Sequence, residues 1–348
     1  MDVANRKGGY RIAQLDGWRG ISILFVIVGH TITFRHFDYY GIAGVMADTG
    51  VKIFFVISGF IITKLALREI NQTGDYSIRN FYTRRFFRIV PPFFLYLAFI
   101  VLAGTCSLIR QRNSETLTAI TFACNLPNVN CSFFAAHSWS LAYEEQFYIV
   151  FPLLLTLVAH HVKKFIIVLL FALAIFMIFG FVWPEIGKFA FGFFYIFAGV
   201  VIAAYETEIQ QFVESRRVIY VSFGAALILM GSPWLGLDVS LCNVISAICI
   251  AWLVGSSVYQ TNFFSRALTW PPLLFVGTIS YSLYLWQQLF VAPHSMYISD
   301  GPLLFTPLVF VVATLSYYLV ERPGTRLGKY LIDRRAHARV RATTLVAS

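Results

Sequence analysis

The chain has 348 residues, of which 58% are apolar or aromatic and 13% are charged, and its formal net charge is +10. Soluble globular proteins contain about 45–50% apolar and about 25% charged residues. The composition therefore excludes a soluble globular chain, and also a disordered, collagen-like or coiled-coil one. The mean hydropathy of +0.70 predicts that the lipid bilayer surrounds much of the chain.

Apolar runs long enough to cross a bilayer recur along the chain, which predicts an all-α integral membrane protein built as a bundle of about ten transmembrane helices. The first run has no small-residue cleavage site after a short apolar core, so we expect it to be retained as a signal anchor. The predicted spans are 18–36, 50–67, 86–106, 140–159, 165–182, 189–205, 218–235, 241–258, 272–292 and 303–321.

The distribution of Lys and Arg predicts the orientation of this bundle. With the N-terminus inside and an even number of spans, 21 of the 27 basic residues fall in inside segments and five in outside segments. The positive-inside rule then places both termini in the cytoplasm. It also accounts for the net charge, so we expect the bilayer and no nucleic acid as a partner. We expect one membrane domain over 1–330 and a basic cytoplasmic tail over 331–348.

The five cysteines give little information about function. Cys124 and Cys131 share the predicted outside loop 107–138, where an oxidising compartment would allow a disulfide, and the sequence leaves this pairing open. Metal-ligand spacing is absent, so we expect no metal and no permanently bound cofactor. The sequence does not indicate the oligomeric state.

Ionisable residues within predicted spans are costly and are commonly functional. In the first span, Arg19 and His30 are separated by about three helical turns, or about 16.5 Å along the axis, and share one face. Histidine is the most frequent general base in enzymes. The alternatives are an interfacial anchor for Arg19 and a hydrogen bond between helices for His30.

Two further segments combine polar residues with span ends. In the second span, Ser58 and Gly59 form a small pair that allows another helix to approach closely. At the start of the third span, Arg84, Arg85 and Arg88 lie on one helical face, a geometry suited to phosphates. Contact with the anionic cytoplasmic leaflet also explains these arginines.

The fourth span begins with Trp139 and continues through Glu144, Glu145 and Tyr148. At least one of the two adjacent carboxylates should face the protein interior, since exposure to lipid is costly, unless both lie in the outer headgroup region. In the ninth span, Tyr281 belongs to a string of aromatic and hydroxyl residues that is also typical of interfacial belts.

Taken in order, these segments resemble the integral-membrane acyltransferase family that includes bacterial O-antigen, nodulation-factor and exopolysaccharide O-acetyltransferases. The resemblance runs from Leu15 to Pro323. The matching segments are Arg19 with ten residues before His30, Phe54-Phe55-x-x-Ser58-Gly59-Phe60, Arg85-x-x-Arg88-Ile89-x-Pro91, Trp139-Ser140-Leu141-x-x-Glu144-x-Gln146-Phe147-Tyr148 and Ser280-Tyr281-Ser282-Leu283-Tyr284-Leu285-Trp286. A histidine often follows the last string in this family, whereas this chain has Gln287, which puts a role in proton transfer there in doubt.

The resemblance implies a multi-pass protein of the bacterial inner membrane that transfers an acyl group, commonly acetyl, from acyl-CoA to a hydroxyl of a sugar, glycan or glycoside. His30 would then be the general base or an acyl carrier, assisted by Glu144 as the residue that orients its ring or holds the sugar. Arg85, Arg88 and Arg84 would bind acyl-CoA, joined by Arg19. Candidate acceptor-binding or packing residues are Ser58, Trp139, Glu145, Tyr148 and Tyr281. Some members carry a soluble hydrolase-like domain after the bundle, and we expect none here.

A proton-coupled transporter is the competing interpretation, because buried His, Arg and Glu residues also line solute pathways. Against it, no pair of Gly/Pro-interrupted segments recurs in the two halves of the chain, and the arginines of the third span would have no role. A transporter would not hydrolyse acyl-CoA or exchange its acyl group.

Overall fold

The computed structural model describes residues 11–36, 41–157, 164, 166–169, 175, 184–213, 239–259, 263–298 and 305–347. Helices account for nearly all regular structure in this part of the chain, where a single bridge pairs Ile109 with Tyr297. The helices are α1 (Ala13–His36), α2 (Ile42–Thr73), α3 (Ile78–Thr105), α4 (Asn113–Thr118), α5 (Phe133–Ala136), α6 (Ser138–Leu157), α7 (Pro184–Ala204), α8 (Glu206–Val213), α9 (Val239–Tyr259), α10 (Phe263–Ala267), α11 (Pro271–Thr278), α12 (Ser280–Val291), α13 (Leu308–Ser316) and α14 (Arg322–Ala347).

The all-α prediction is confirmed for the described residues. Among them, four helical segments are long and apolar enough to cross a bilayer, and they are Ala13–Arg35, Ile42–Thr73, Ile78–Thr105 and Cys242–Tyr259. The predicted span 218–235 lies outside the described residues, as does most of 165–182.

Polar helix ends extend beyond the apolar runs. α2 continues to Thr73, six residues past its predicted end, and stops at Gly74, whose positive φ of 75° provides a left-handed C-cap. α3 begins at Ile78 because the Ser77 side chain accepts a hydrogen bond from the backbone N–H of Asn80. Hydropathy detects only the apolar part of each helix, so it missed these capped, polar turns.

The last two predicted spans are interrupted helices. Ile279 separates α11 from α12, and a π-helical turn, Tyr317–Glu321, joins α13 to α14. Pro323 has no backbone N–H for the carbonyl of residue 319, which disfavours a regular α-helix there. α14 then continues through residue 330 without a break.

Glycines bring the backbones of α2 and α7 into direct contact. A Cβ atom added to Gly59 would lie 1.8 Å from the carbonyl oxygen of Ile196, and one added to Gly199 would lie 2.0 Å from that of Val56. The small pair at Ser58 and Gly59 therefore allows helix approach as predicted, with Gly59 forming the contact.

We name the two ends of the bundle by their residues. The arginine end carries Arg19 in the first half of α1 and Arg88 in the first half of α3. The disulfide end carries the segment between α3 and α6, in which Cys124 and Cys131 form a disulfide. His30 lies in the half of α1 nearer the disulfide end, where the ring of Phe34 contacts that of Phe133 at 5.3 Å.

A side chain at position 59 should destabilise the protein. Gly59→Val forces α2 and α7 apart, and we expect a loss of roughly 1–3 kcal/mol or more, the usual cost of overpacking. Thermal unfolding in detergent measures it. Gly74→Asn is the matched control, because an added Cβ meets nothing within 4 Å there and Asn tolerates positive φ. Equal unfolding temperatures for Gly59→Val and wild type would contradict this packing.

Candidate active site

A cationic cavity, here called the arginine cavity, lies between α1, α2, α3, α6 and α12. It encloses about 740 Å³ of atom-free space including its opening. Its lining consists of Arg19, Val51, Phe54, Ile57, Ser58, Ile61, Arg85, Arg88, Ile89, Ser140, Leu141, Glu144, Tyr148, Ser280, Tyr281 and Tyr284. The structure thus brings together side chains from all five of the segments that the sequence analysis selected, although up to 265 positions separate them along the chain.

The arginines of this cavity form no ion pair within the described residues, and one of them, Arg85, packs on an aromatic ring. The guanidinium carbon of Arg85 lies 4.7 Å from the centre of the Tyr148 ring, a cation–π geometry. Within the described part of the chain, no carboxylate forms an ion pair with Arg19, Arg85 or Arg88. Their charges are therefore available to an anionic ligand.

Arg84 does not share the cavity. Its side chain is exposed and forms an ion pair with Glu69 at 3.3 Å, and it is absent from the cavity lining. A separation of three or four residues allows side chains to share a helical face, but it does not say which of them a neighbouring helix covers. The structure therefore separates Arg84 from Arg85 and Arg88.

Glu144 accepts two hydrogen bonds inside the arginine cavity. The Ser58 hydroxyl donates to Oε1 at 2.7 Å and the Tyr148 hydroxyl donates to Oε2 at 2.8 Å. These hydroxyls provide polar partners for a carboxylate within the bundle. The prediction that at least one acid of the pair faces the interior is thus confirmed for Glu144.

His30 lies in a second, adjacent cavity, here called the histidine cavity, of about 600 Å³ of atom-free space including its opening. Its Nδ1 atom lies 3.1 Å from Oε1 of Gln287, and its ring stacks on Phe34 at 4.9 Å. The lining consists of His30, Thr33, Phe34, Gly44, Ala47, Asp48, Val51, Trp139 and Tyr284.

The side chain that contacts the His30 ring nitrogen is Gln287 and not Glu144. Glu144 was expected to orient the imidazole or to hold the sugar, and its hydrogen bonds go to Ser58 and Tyr148. The amide of Gln287 occupies the orienting position instead. The reason is that Glu144 and His30 line different cavities, a separation that spacing along single helices does not reveal.

Val51 and Tyr284 line both cavities and form the wall between them. The Tyr284 hydroxyl lies 2.6 Å from the Ser140 hydroxyl and donates to the carbonyl oxygen of His137 at 2.6 Å. Arg19 and His30 therefore line two neighbouring cavities, although they share one face of the first span.

The remaining candidates take up different positions. Tyr281 lines the arginine cavity and donates to the carbonyl oxygen of Ile89 at 2.8 Å. Trp139 lines the histidine cavity and packs edge-on against Phe55 at 6.1 Å. Glu145 lines neither cavity, and its Oε1 atom is buried without a hydrogen-bond partner among the described residues.

Glu321 is a residue of this region whose importance the sequence analysis missed. Only 3% of it is exposed, and its carboxylate accepts a hydrogen bond from Ser282 at 2.8 Å while interacting electrostatically with Arg88 and Arg19. It lies at the end of the π-helical turn, a form often found at functional sites. In the sequence it was interpreted only as the end of the last span.

Comparisons with known proteins identify the family of the chain. A family model described as "Acyltransferase domain" matches residues 12–322. Among curated relatives, the chain is 28% identical over 353 residues to "O-acetyltransferase OatA" of Staphylococcus aureus (strain NCTC 8325 / PS 47), covering 90% of this chain and 57% of the relative. It is 29% identical over 364 residues to "Putative O-acetyltransferase SACOL0978" of Staphylococcus aureus (strain COL), covering 91% and 58%.

The chain spans somewhat more than half the length of these relatives. No solved structure matches it. The family match begins one residue before α1 and ends at the start of α14, so it includes both cavities and every motif that the resemblance used. The chain therefore belongs to this family of acyltransferases.

Proposed function

We propose that the protein is a membrane-embedded O-acyltransferase that moves an acetyl group from acetyl-CoA to a hydroxyl of a sugar, glycan or glycoside. The observation that carries this proposal is the pair of adjacent cavities, one lined by Arg19, Arg85 and Arg88 and the other by His30. Family membership and the printed names of the relatives, which are O-acetyltransferases, support this reaction class.

In this proposal the arginine cavity binds the phosphates of CoA. Three guanidinium groups without an ion-paired carboxylate, among the described residues, suit a polyanion. The thin pantetheine arm then passes the wall formed by Val51 and Tyr284, which brings the thioester to His30. Glu144 shapes the donor cavity through Ser58 and Tyr148.

The histidine cavity takes the acceptor. Its aromatic wall, Phe34, Trp139 and Tyr284, and the exposed carboxylate of Asp48 match the apolar faces and hydroxyl groups of a sugar. Neutral His30 removes the proton from the attacking hydroxyl. The hydroxyl oxygen bonds to the thioester carbonyl carbon, the C–S bond breaks, and the imidazolium returns the proton to the CoA thiolate.

We further propose ten spans with both termini in the cytoplasm, in an inner or plasma membrane. Three arguments support this orientation. Basic residues concentrate in the predicted inside segments. The Cys124–Cys131 disulfide suits an oxidising compartment outside the cytoplasm. The arginines of the arginine cavity lie toward the other end of the bundle, which in this arrangement is the side on which acyl-CoA is made.

The reaction class has a direct test. Purified protein in detergent receives acetyl-CoA labelled in the acetyl group, with and without a soluble glycoside, and free CoA and acetylated glycoside are measured. We expect CoA release that the glycoside accelerates, with label transferred to it. A proton-coupled transporter releases no CoA, so the absence of turnover with all glycosides and of hydrolysis would contradict the proposal.

Donor binding should depend on two arginines and not on their neighbour. Arg85→Ala and Arg88→Ala each remove a charge-assisted hydrogen bond, so we expect the Kd for acetyl-CoA to rise on the order of 10–100-fold. Calorimetry in detergent measures it. Arg84→Ala is the matched control, because Arg84 lies outside the cavity. An equal rise in Kd in all three variants would mean that the loss of one positive charge weakens binding wherever the arginine lies.

A profile of turnover against pH distinguishes the role of His30 from that of Glu144. His30→Ala should reduce turnover on the order of 10²–10⁴-fold while the protein still binds acetyl-CoA, because the general base is lost. Glu144→Gln should lower turnover but leave the pH midpoint of activity unchanged, since its contacts are with Ser58 and Tyr148. A shifted midpoint in Glu144→Gln would show that Glu144 acts directly on His30.

Membrane orientation is testable by labelling introduced cysteines in intact cells. Asp75→Cys lies at the exposed turn between α2 and α3, and Ser114→Cys lies exposed in α4 at the disulfide end. The background variant is Cys106→Ser, because Cys106 is a free, exposed thiol. A membrane-impermeant maleimide should label position 114 in intact cells and position 75 only after permeabilisation. The reverse pattern would invert the orientation.

A further inference from the structure

Two consecutive glutamines of α12 connect His30 to a backbone carbonyl. Oε1 of Gln287 lies 3.1 Å from Nδ1 of His30. The side-chain amide of Gln287 donates to Oε1 of Gln288 at 3.3 Å, and that of Gln288 donates to the carbonyl oxygen of Phe133 at 3.2 Å. Both glutamines are buried, with 0% and 3% of their surface exposed.

The carbonyl group of Phe133 determines which atom of each glutamine amide donates and which accepts. A backbone carbonyl only accepts hydrogen bonds, so Gln288 must turn its NH₂ group toward Phe133 and its oxygen toward Gln287. Gln287 must then present its NH₂ group to Gln288 and its oxygen to His30. An amide oxygen also only accepts, so Nδ1 of His30 carries the proton.

We propose that Gln287 and Gln288 are positioning residues that hold His30 as the tautomer with hydrogen on Nδ1 and a free lone pair on Nε2. This inference deepens the proposed function and rests on it, because Nε2 is then the atom that removes the acceptor proton. The stacking of Phe34 on the imidazole at 4.9 Å restricts rotation of the ring. The hydrogen bond and the stack together fix both the tautomer and the ring plane.

An amide suits this position for an electrostatic reason. A carboxylate would orient the ring equally well, but it would add a buried charge, which requires compensation in an apolar bundle. An uncharged acceptor fixes the tautomer without adding charge beside the base. The buried amide of Gln288 likewise satisfies the NH₂ group of Gln287, which would otherwise be an unpaired donor.

The experiment combines three variants with two measurements. Gln287→Leu removes the oxygen that accepts the hydrogen bond from His30. Gln288→Leu removes the side chain that orients the amide of Gln287. Gln287→Glu keeps an accepting oxygen beside His30 and adds a negative charge. Gln146→Leu is the matched control, because it breaks a different amide pair, with Asn125 at 2.9 Å. The measurements are ¹⁵N-histidine NMR, with the His30 signals assigned by their loss in His30→Ala, and kcat against pH with acetyl-CoA and a glycoside.

In wild type we expect His30 to be protonated at Nδ1 and unprotonated at Nε2 by NMR. Gln287→Leu should mix the tautomers and lower kcat on the order of 10–100-fold, with little change in the KM for acetyl-CoA. Gln288→Leu should also mix the tautomers and lower kcat, but by a smaller factor. Gln287→Glu should keep the tautomer and move the rising limb of the pH profile to higher pH, because a carboxylate stabilises the imidazolium.

A wild-type tautomer with hydrogen on Nε2 would overturn the inference, and so would an unchanged pH profile in Gln287→Glu. If Gln287→Leu fails to fold, the tautomer and the pH profile of Gln287→Glu still test the inference. Gln146→Leu should leave both readouts at wild-type values, and a shift there would mean that loss of any amide pair in the bundle moves them, which counts against a specific role. The NMR readout needs no turnover, so an inactive wild type would refute the proposed function while the amide chain is still tested.

Discussion

Ionisable groups buried in an apolar bundle must be compensated from within the protein, and the arrangement of the site depends on this constraint. Some of this compensation comes from ion pairs: Lys52 is paired with Asp48 at 2.5 Å and Lys64 with Glu206 at 2.5 Å. The arginine cavity differs, because Arg19, Arg85 and Arg88 lack ion-paired carboxylates among the described residues, and Arg85 packs on the ring of Tyr148. Under the proposed function, these arginines would face the polyanionic donor.

Part of this arrangement was predictable because its physical signals are local. Long apolar runs predicted the helices, and the Ser58–Gly59 pair predicted close helix packing, which Gly59 provides against Ile196. At least one of Glu144 and Glu145 was predicted to face inward because exposure of both carboxylates to lipid is costly, and Glu144 lines the arginine cavity. In each case a single segment carries enough information, since the cost of lipid exposure acts on each helix separately.

The rest depends on which helices meet, and spacing within one helix does not contain that information. Gln287 lies 257 positions from His30, and Tyr284 contacts Ser140 across 144 positions. For the same reason Arg84 was grouped with Arg85 and Arg88, although a neighbouring carboxylate, Glu69, draws it to the surface. The wall between the two cavities comes from α2 and α12 together.

The departure of this chain from its family at position 287 has a chemical consequence. An imidazole there would be able to exchange a proton with His30, so the two rings would titrate together. The amide of Gln287 cannot gain or lose a proton at physiological pH, yet its oxygen still accepts a hydrogen bond. Within the proposed mechanism, His30 therefore has no titratable hydrogen-bond partner on Nδ1. The proton removed from the acceptor then stays on His30 until the CoA thiolate takes it, so removal of the proton and its return use the same ring.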